Sequence, residues 1–222
     1  DAAARAITRE NDHLAGQASA DAAFMFVGDH PSLDLLNTVV GKGDGRLDLL
    51  KDVASLRLWV TQVPSDWPEE TLRLLELSPG KAWDAALAQV REVRELAREV
   101  VTAWRAGMVP PPLVDELRRW MQQVPYSRDL RQADGALVQC WVARLEGPRA
   151  LAGLLAVSFA DLLAGASPTS VKSCAGAGCS LQFLDRTKGQ RRVFCSAAQC
   201  GNRAKVAAFR ARKRALEAGH ED

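Results

Sequence analysis

The 222-residue chain is 47% apolar, ordinary for a soluble globular protein, and its formal net charge of +2 hides an asymmetry. Residues 172–222 hold 11 Lys/Arg against 4 Asp/Glu, while residues 1–171 hold 18 against 23, so a polyanion would be met by the tail alone. The longest apolar run, Ala150 to Ala160, stops at Asp161 short of the ~20 residues that span a bilayer, and no secretory signal is visible. A membrane-spanning chain is thereby excluded, and a cytoplasmic protein is expected.

Residues 1–23 carry no clear periodicity and are expected to be disordered. Phe24 to Val27 reads as a brief strand ending at Gly28-Asp29. Ser32, with Pro31 just ahead, reads as the cap of a helix that sets Leu33, Leu36 and Val40 on one face. Gly41, Gly43 and Gly45 make the next loop flexible. Asp52 to Val63 reads as a helix with Val53, Leu56 and Val60 inward. A short helix begins at Pro68, with Glu69 and Glu70 in its first turn, where negative charge suits the helix dipole.

The clearest helix runs from Lys81 to Ala106. Trp83, Leu87, Val90, Val93, Leu96, Val100 and Trp104 form its apolar stripe, and Arg91, Glu95, Arg98 and Glu99 are expected outside as a solvated face. Pro110-Pro111-Pro112 precedes a shorter helix, Leu113 to Gln123. Arg128 to Ala133 and Ala136 to Val142 flank Asp134-Gly135, a tight-hairpin signal. Cys140, in an apolar run of the second strand, reads as a buried small hydrophobe. Leu151 to Leu163 reads as a buried helix, and Gly165 to Ser170 as a linker.

The expected fold class is mainly α with short strands and hairpins (α+β). Residues 24–166 form a helical domain, 167–171 a linker and 172–217 a small treble-clef-like module with a basic C-terminal helix.

Cys174-x4-Cys179-x15-Cys195-x4-Cys200 carries the module. Each short pair can form a knuckle giving two thiolates, and the gap lets the chain fold back so that four sulfurs meet one tetrahedral zinc. Disulfides or free thiols are the competing readings; a reducing compartment and a basic context favour the metal. Four thiolates leave no open position for water, so the ion is structural. Ser180 to Asp185 and Arg191 to Phe194 read as two strands joined at Lys188-Gly189, with Cys200 at the entrance of a helix from Asn202 to Leu216.

That helix carries Arg203, Lys205, Arg210, Arg212, Lys213 and Arg214, with Val206, Phe209 and Leu216 as its docking stripe. Arg191 and Arg192, with Arg186 and Lys188, add charge ahead of it. DNA is the expected partner, and an RNA-binding or protein-interaction module is the alternative. A soluble helix with a merely cationic surface is the plain reading of the same residues. His13, His30 and His220 are scattered, and no phosphate loop, nucleophile elbow or His-Glu-x-x-His motif occurs, so no enzyme is expected. A homodimer is compatible with half-site recognition, although no heptad seam is present.

Cys174…Cys179…Phe183-Leu184-Asp185…Arg191-Arg192-Val193-Phe194-Cys195-Ser196…Cys200-Gly201-Asn202-Arg203-Ala204-Lys205 resembles the CGNR zinc finger family of bacterial proteins, with Phe194 where tryptophan is common. Gly28 and Leu33-Asp34-Leu35-Leu36-Asn37-Thr38 resemble the opening of the ABATE domain that usually precedes this finger, with Asp29-His30-Pro31 in place of the family's small residues. The resemblance implies a stress-related transcriptional regulator, zinc on Cys174, Cys179, Cys195 and Cys200, DNA contact through the finger, and a helical domain that senses a small-molecule effector. Asp34 and Asn37 are the candidates for a polar ligand site there; anchoring of loop backbone is their other reading.

Overall fold

The computed structural model describes residues 24–64, 69–133 and 135–218. The expectations for residues 1–23, for the Pro68 helix start and for Asp134 lie outside them.

Phe24 to Val27 is extended but joins no strand. Its side chains still alternate, Phe24 and Phe26 toward the main core, Met25 and Val27 toward the cysteine cluster. Its backbone is served from elsewhere: Arg192 Nη2 donates to Val27 O at 3.0 Å, and Leu184 N–H donates to Gly28 O at 2.8 Å. Helix α1 (Pro31–Leu36) is capped by His30, whose Nδ1 accepts from Ser32 N–H; Ser32 lies inside the helix, its hydroxyl 3.0 Å from that of Ser158. The helix also stops before Val40. Thr38 Oγ1 turns back on Leu35 O at 2.7 Å, and the β-branched pair Val39–Val40 forms β1, antiparallel to β2 (Leu47–Asp48).

Helix α2 (Val53–Gln62) starts with a capping box between Asp52 and Ser55. After α3 (Glu69–Leu74) comes the central α4 (Lys81–Arg105), then α5 (Pro111–Met121). The apolar stripe of α4 packs against α1, α2, α5 and the apolar helix α6 (Ala150–Gly165). Trp59, Trp83, Phe159, Leu33 and Leu155 are among the fully buried side chains of this core, each contributing about 2–3 kcal/mol through burial.

The charged face of α4 departs from expectation. Arg91 donates to Leu50 O, and Arg98 donates to Leu36 O at 3.2 Å. Arg94, absent from the expected set, is buried and forks onto both oxygens of Asp48 at 2.7 and 2.6 Å, with Thr38 Oγ1 at 2.9 Å. These arginines hold β2 and the segments on either side of the β1–β2 pair onto the helix. Carbonyls in such irregular segments need donors, and an arginine on the rim of an apolar stripe can reach them.

Strands β3 (Tyr126–Ala133) and β4 (Ala136–Ala143) form the expected hairpin in full register. It projects from the body, so Cys140 is half-buried on a largely exposed ribbon and not a core residue. Pro168–Ser170 makes a short 3₁₀ turn whose Ser170 is buried. Then β5 (Val171–Ser173) pairs antiparallel with β6 (Gln182–Leu184).

Val171 and Leu184 belong to the main helical core, so the finger's hairpin is rooted in the body. The expected second strand, Arg191 to Phe194, does not form. Asp185 takes the Arg192 N–H of that segment at 2.9 Å, and its other oxygen accepts Thr187 N–H in the preceding turn at 3.0 Å. Helix α7 (Asn202–Ala218) closes the described chain.

Candidate metal centre and cationic helix

The first knuckle is the tip of the β5–β6 hairpin. Cys174 N–H donates to Leu181 O at 2.9 Å, closing a loop that carries Cys174 at one end and Cys179 at the other. Gly176 sits directly under the cluster. A Cβ there would stand 3.0 Å from Cys200 Sγ and 3.4 Å from Cys174 Sγ, which leaves no room for a larger residue to settle unstrained. The second knuckle follows the irregular stretch after Asp185: Cys195, then a tight turn over Ala197–Gly201 that contains Cys200 and runs directly into α7.

The four sulfurs all lie within 4.8 Å of one another; Cys179–Cys195 and Cys195–Cys200 are separated by 3.8 and 3.6 Å. A zinc–sulfur distance of about 2.3 Å in a regular tetrahedron requires edges of about 3.8 Å. The set fits one zinc ion. It does not fit disulfides: all four cysteines are free, and the 3.6 Å separation is far beyond the ~2.05 Å of an S–S bond.

The surroundings are prepared for thiolates. Gly176 N–H and Cys195 N–H point at Cys174 Sγ at 3.4 and 3.2 Å. Burial opposes ionisation of Cys174, yet these amides, together with the Cys195 and Cys179 thiols, outweigh it and bring the thiol down to about 7. Burial raises Cys179, and burial together with the neighbouring sulfurs of Cys174 and Cys200 raises Cys195 well above a free thiol. Four like charges at these separations require a cation to coexist.

Arg203 contributes a further compensating charge, its Nη2 lying 2.9 Å from Cys200 Sγ; that bond holds its guanidinium even more firmly protonated. Cys200-Gly201-Asn202-Arg203 thereby acquires a local explanation: ligand, buried glycine, first helical residue, and an arginine turned back onto the ligand.

The expected nucleic-acid residues divide into two groups. Arg192 is occupied internally. It stacks on Phe183 at 4.2 Å, pairs with Asp29, and donates to Val27 O and to Cys195 O at 2.6 Å. It fastens the N-terminal segment to the metal knuckle. Sequence showed only its charge; its position three residues from a ligand was the available signal.

Arg191, Arg203, Lys205, Arg210, Arg212, Lys213 and Arg214 are exposed. At 100° per residue, Arg203, Arg210 and Arg214 share one line of α7, and Lys205 and Arg212 share the opposite line. Val206 and Phe209 lie between the two rows. They do not form a docking stripe: Val206 is 40% and Phe209 62% exposed, because α7 leaves the metal knuckle pointing away from the body. Leu216, the third residue of that expected stripe, is exposed too.

Asp185, the single acidic residue between 172 and 214, is buried. Despite its burial, Lys172 at 2.7 Å, the Thr187 hydroxyl and amide, and the Arg192 amide hold its carboxyl far below the usual range. No acidic side chain therefore interrupts the exposed cationic surface of this stretch.

Asp34 and Asn37 anchor backbone. Asp34 Oδ1 accepts Gly28 N–H at 2.8 Å in a space so tight that a Cβ on Gly28 would stand 2.8 Å from the same oxygen. Asn37 exchanges both of its amide bonds with the backbone of Gln182. Both side chains are engaged with backbone in this way.

Comparison with protein families gives two matches in chain order. Residues 29–166 match the ABATE model, described as "Putative stress-induced transcription regulator", and residues 170–213 match the CGNR zinc finger. No curated protein matches the chain. The finger match and the sulfur geometry agree on one structural zinc ion.

Proposed function

The chain belongs to the ABATE family and carries a CGNR zinc finger after that domain, and from this premise we propose that it is a zinc-dependent DNA-binding regulator of transcription in bacteria. The observation that carries the reading is α7: a 17-residue helix, fixed at its first turn to the metal ligand Cys200, with two rows of exposed cations along its length. A helix about 25 Å long and cationic on opposite sides suits a major groove, where each row meets the phosphates of one strand. Val206 and Phe209, between the rows, then face the base edges, where apolar contact selects thymine methyl groups. Arg191 adds a phosphate contact beside the knuckle.

The zinc performs no reaction in this scheme. It fixes the direction in which α7 leaves the finger, and the helical domain fixes the finger through β5 and β6. The protein works in the cytoplasm, without catalysis, and the helical domain modulates the finger in response to stress. No helix of the described chain is long and apolar enough to cross a membrane.

Phe209 also supports a second reading, since an exposed aromatic ring among cations offers a stacking platform for an unpaired base of RNA. Selection of bound sequences from random duplex DNA by the full zinc-loaded chain, with structured RNA as competitor, separates the two. An enriched duplex motif lost on Phe209→Ala supports the DNA reading. Displacement by RNA without any duplex motif sinks it.

A further inference from the structure

The β3–β4 hairpin is built unlike the rest of the surface. Its register places Tyr126, Arg128, Leu130 and Gln132 opposite Ala143, Trp141, Gln139 and Leu137, so these eight residues share one face. On that face Leu130 is 62%, Leu137 72% and Trp141 63% exposed. With Tyr126, 40% exposed, they make a contiguous apolar patch on the scale of the largest that a monomer ordinarily shows, and Val138 on the other face is 46% exposed. Among the described residues no third strand joins the hairpin, and a two-stranded ribbon standing alone is marginal in water.

The two edges differ. β3 is blunted in the manner of an edge that must stay free: it carries Arg128, Asp129 and Arg131, and Asp129 caps the Leu130 N–H at 2.9 Å while pairing with Arg131 at 3.0 Å. β4 reads Ala-Leu-Val-Gln-Cys-Trp-Val-Ala, eight residues without a charge, a proline or a glycine. An exposed edge of that kind is a template for another strand. The strand is also self-complementary. Antiparallel pairing about a two-fold axis at Gln139 sets Leu137 against the partner's Trp141, Val138 against the partner's Cys140, and Gln139 against the partner's Gln139. Aromatic–aliphatic pairs and a reciprocal amide contact are favourable across strands, and no like charges meet.

We infer that two copies of this chain associate through β4, forming a continuous four-stranded antiparallel sheet in the order β3-β4-β4-β3 with its two-fold axis at Gln139. Pairing along β4 closes the open backbone edge of each copy and sets the exposed Leu137 and Trp141 of one against the Trp141 and Leu137 of the other. The interface is isologous and closes after two copies, leaving the blunted β3 strands outside. The inference does not depend on what α7 binds.

Sedimentation equilibrium of the full zinc-loaded chain tests it. The native chain is expected to be a dimer, and Gln139→Lys, which sets two ammonium groups face to face at an exposed position, is expected to raise the dimer dissociation constant about tenfold or more. A second variant guards against a misfolded first one. Gln139→Cys in a Cys140→Ser background should remain dimeric and cross-link through residue 139 of both copies on treatment with diamide, as located by peptide mass spectrometry. A monomeric native chain, a Gln139→Lys variant that dimerises as tightly as the native one, or a dimer that fails to cross-link at 139 would each overturn it.

Discussion

Asn37 and Gln182 are 145 residues apart in sequence and exchange two hydrogen bonds: Asn37 Nδ2 donates to Gln182 O at 2.9 Å, and Gln182 N–H donates to Asn37 Oδ1 at 2.8 Å. The side-chain amide thus takes the place of a neighbouring strand on the open edge of β6. Gly41 N–H bonding Ser180 Oγ at 3.0 Å, and Arg105 bonding Ser173 Oγ at 3.1 Å, extend the same seam. Helical domain and finger are joined by matched polar groups as well as by the shared core residues Val171 and Leu184.

Asn37→Ala would strip both partners from a partly buried backbone pair, costing about 2–4 kcal/mol. Asn37→Asp keeps the acceptor but loses the donor, and should also destabilise. Urea unfolding gives the magnitude, and amide hydrogen exchange should show the Gln182 N–H losing protection first. Unchanged exchange at Gln182 would contradict the seam.

Removing zinc, or replacing a ligand by Cys195→Ser, should abolish stoichiometric zinc binding. Structural sites of this type supply about 10–16 kcal/mol of apparent binding energy that is also folding energy. Because Val171 and Leu184 sit in the main core, the loss should lower the melting temperature of the whole chain and not of the finger alone. Two well-separated transitions in calorimetry would argue against such coupling.

Asp34 links stability to pH. Burial, aided by the nearby Asp29 charge and opposed by the Gly28 amide, pushes its carboxyl up from 3.8 to about 6. A carboxyl raised on folding binds its proton more tightly in the folded state. Its contribution is therefore most favourable below about pH 4 and declines as pH rises through 6, a difference of about 3 kcal/mol. Asp48 and Asp185 run the opposite way, their depressed values contributing stability that is lost in acid. Asp34→Asn retains an oxygen for Gly28 N–H and should stabilise the chain by about 1–2 kcal/mol at pH 7 while flattening the pH 4–6 limb. Urea midpoints across that range decide it.

The arginines of the finger should separate by role. Arg192→Ala removes a stacked, multiply bonded guanidinium and should cost about 2–4 kcal/mol of stability. Arg210→Ala and Arg214→Ala should leave the unfolding midpoint within about 0.5 kcal/mol, yet each should weaken binding to any duplex alike and reduce the salt slope by about 1. Measuring midpoint and affinity on the same three variants exposes the difference.

The metal centre was legible because its chemistry is local: four thiolates need short pairs and a return, and sequence spacing records both. The long helices were legible for the same reason, Lys81–Arg105 through its apolar period and Val53–Gln62 through its cap. What escaped depends on partners distant in sequence. Arg94 reads as one charge among several until Asp48 is beside it, and Arg192 reads as a phosphate contact until Asp29, Val27 and Phe183 surround it. Phe24 to Val27 has a strand's alternation and no strand's partner, because two different cores receive its two faces. Arg191 to Phe194 failed as a strand because one buried carboxylate, Asp185, took its amide. The α7 stripe failed because amphipathic spacing says which residues align, not whether anything lies opposite.

In the proposed function a closed thiolate site presents α7 to a phosphate backbone. Affinity of the full chain for duplex DNA across a range of salt, with zinc bound and after chelation, tests it most directly. If about five cations of α7 and its flank touch phosphates, log K should fall with log salt at a slope near −4.5, and chelation should remove the binding. Binding that ignores salt, or that survives loss of the metal unchanged, would contradict it.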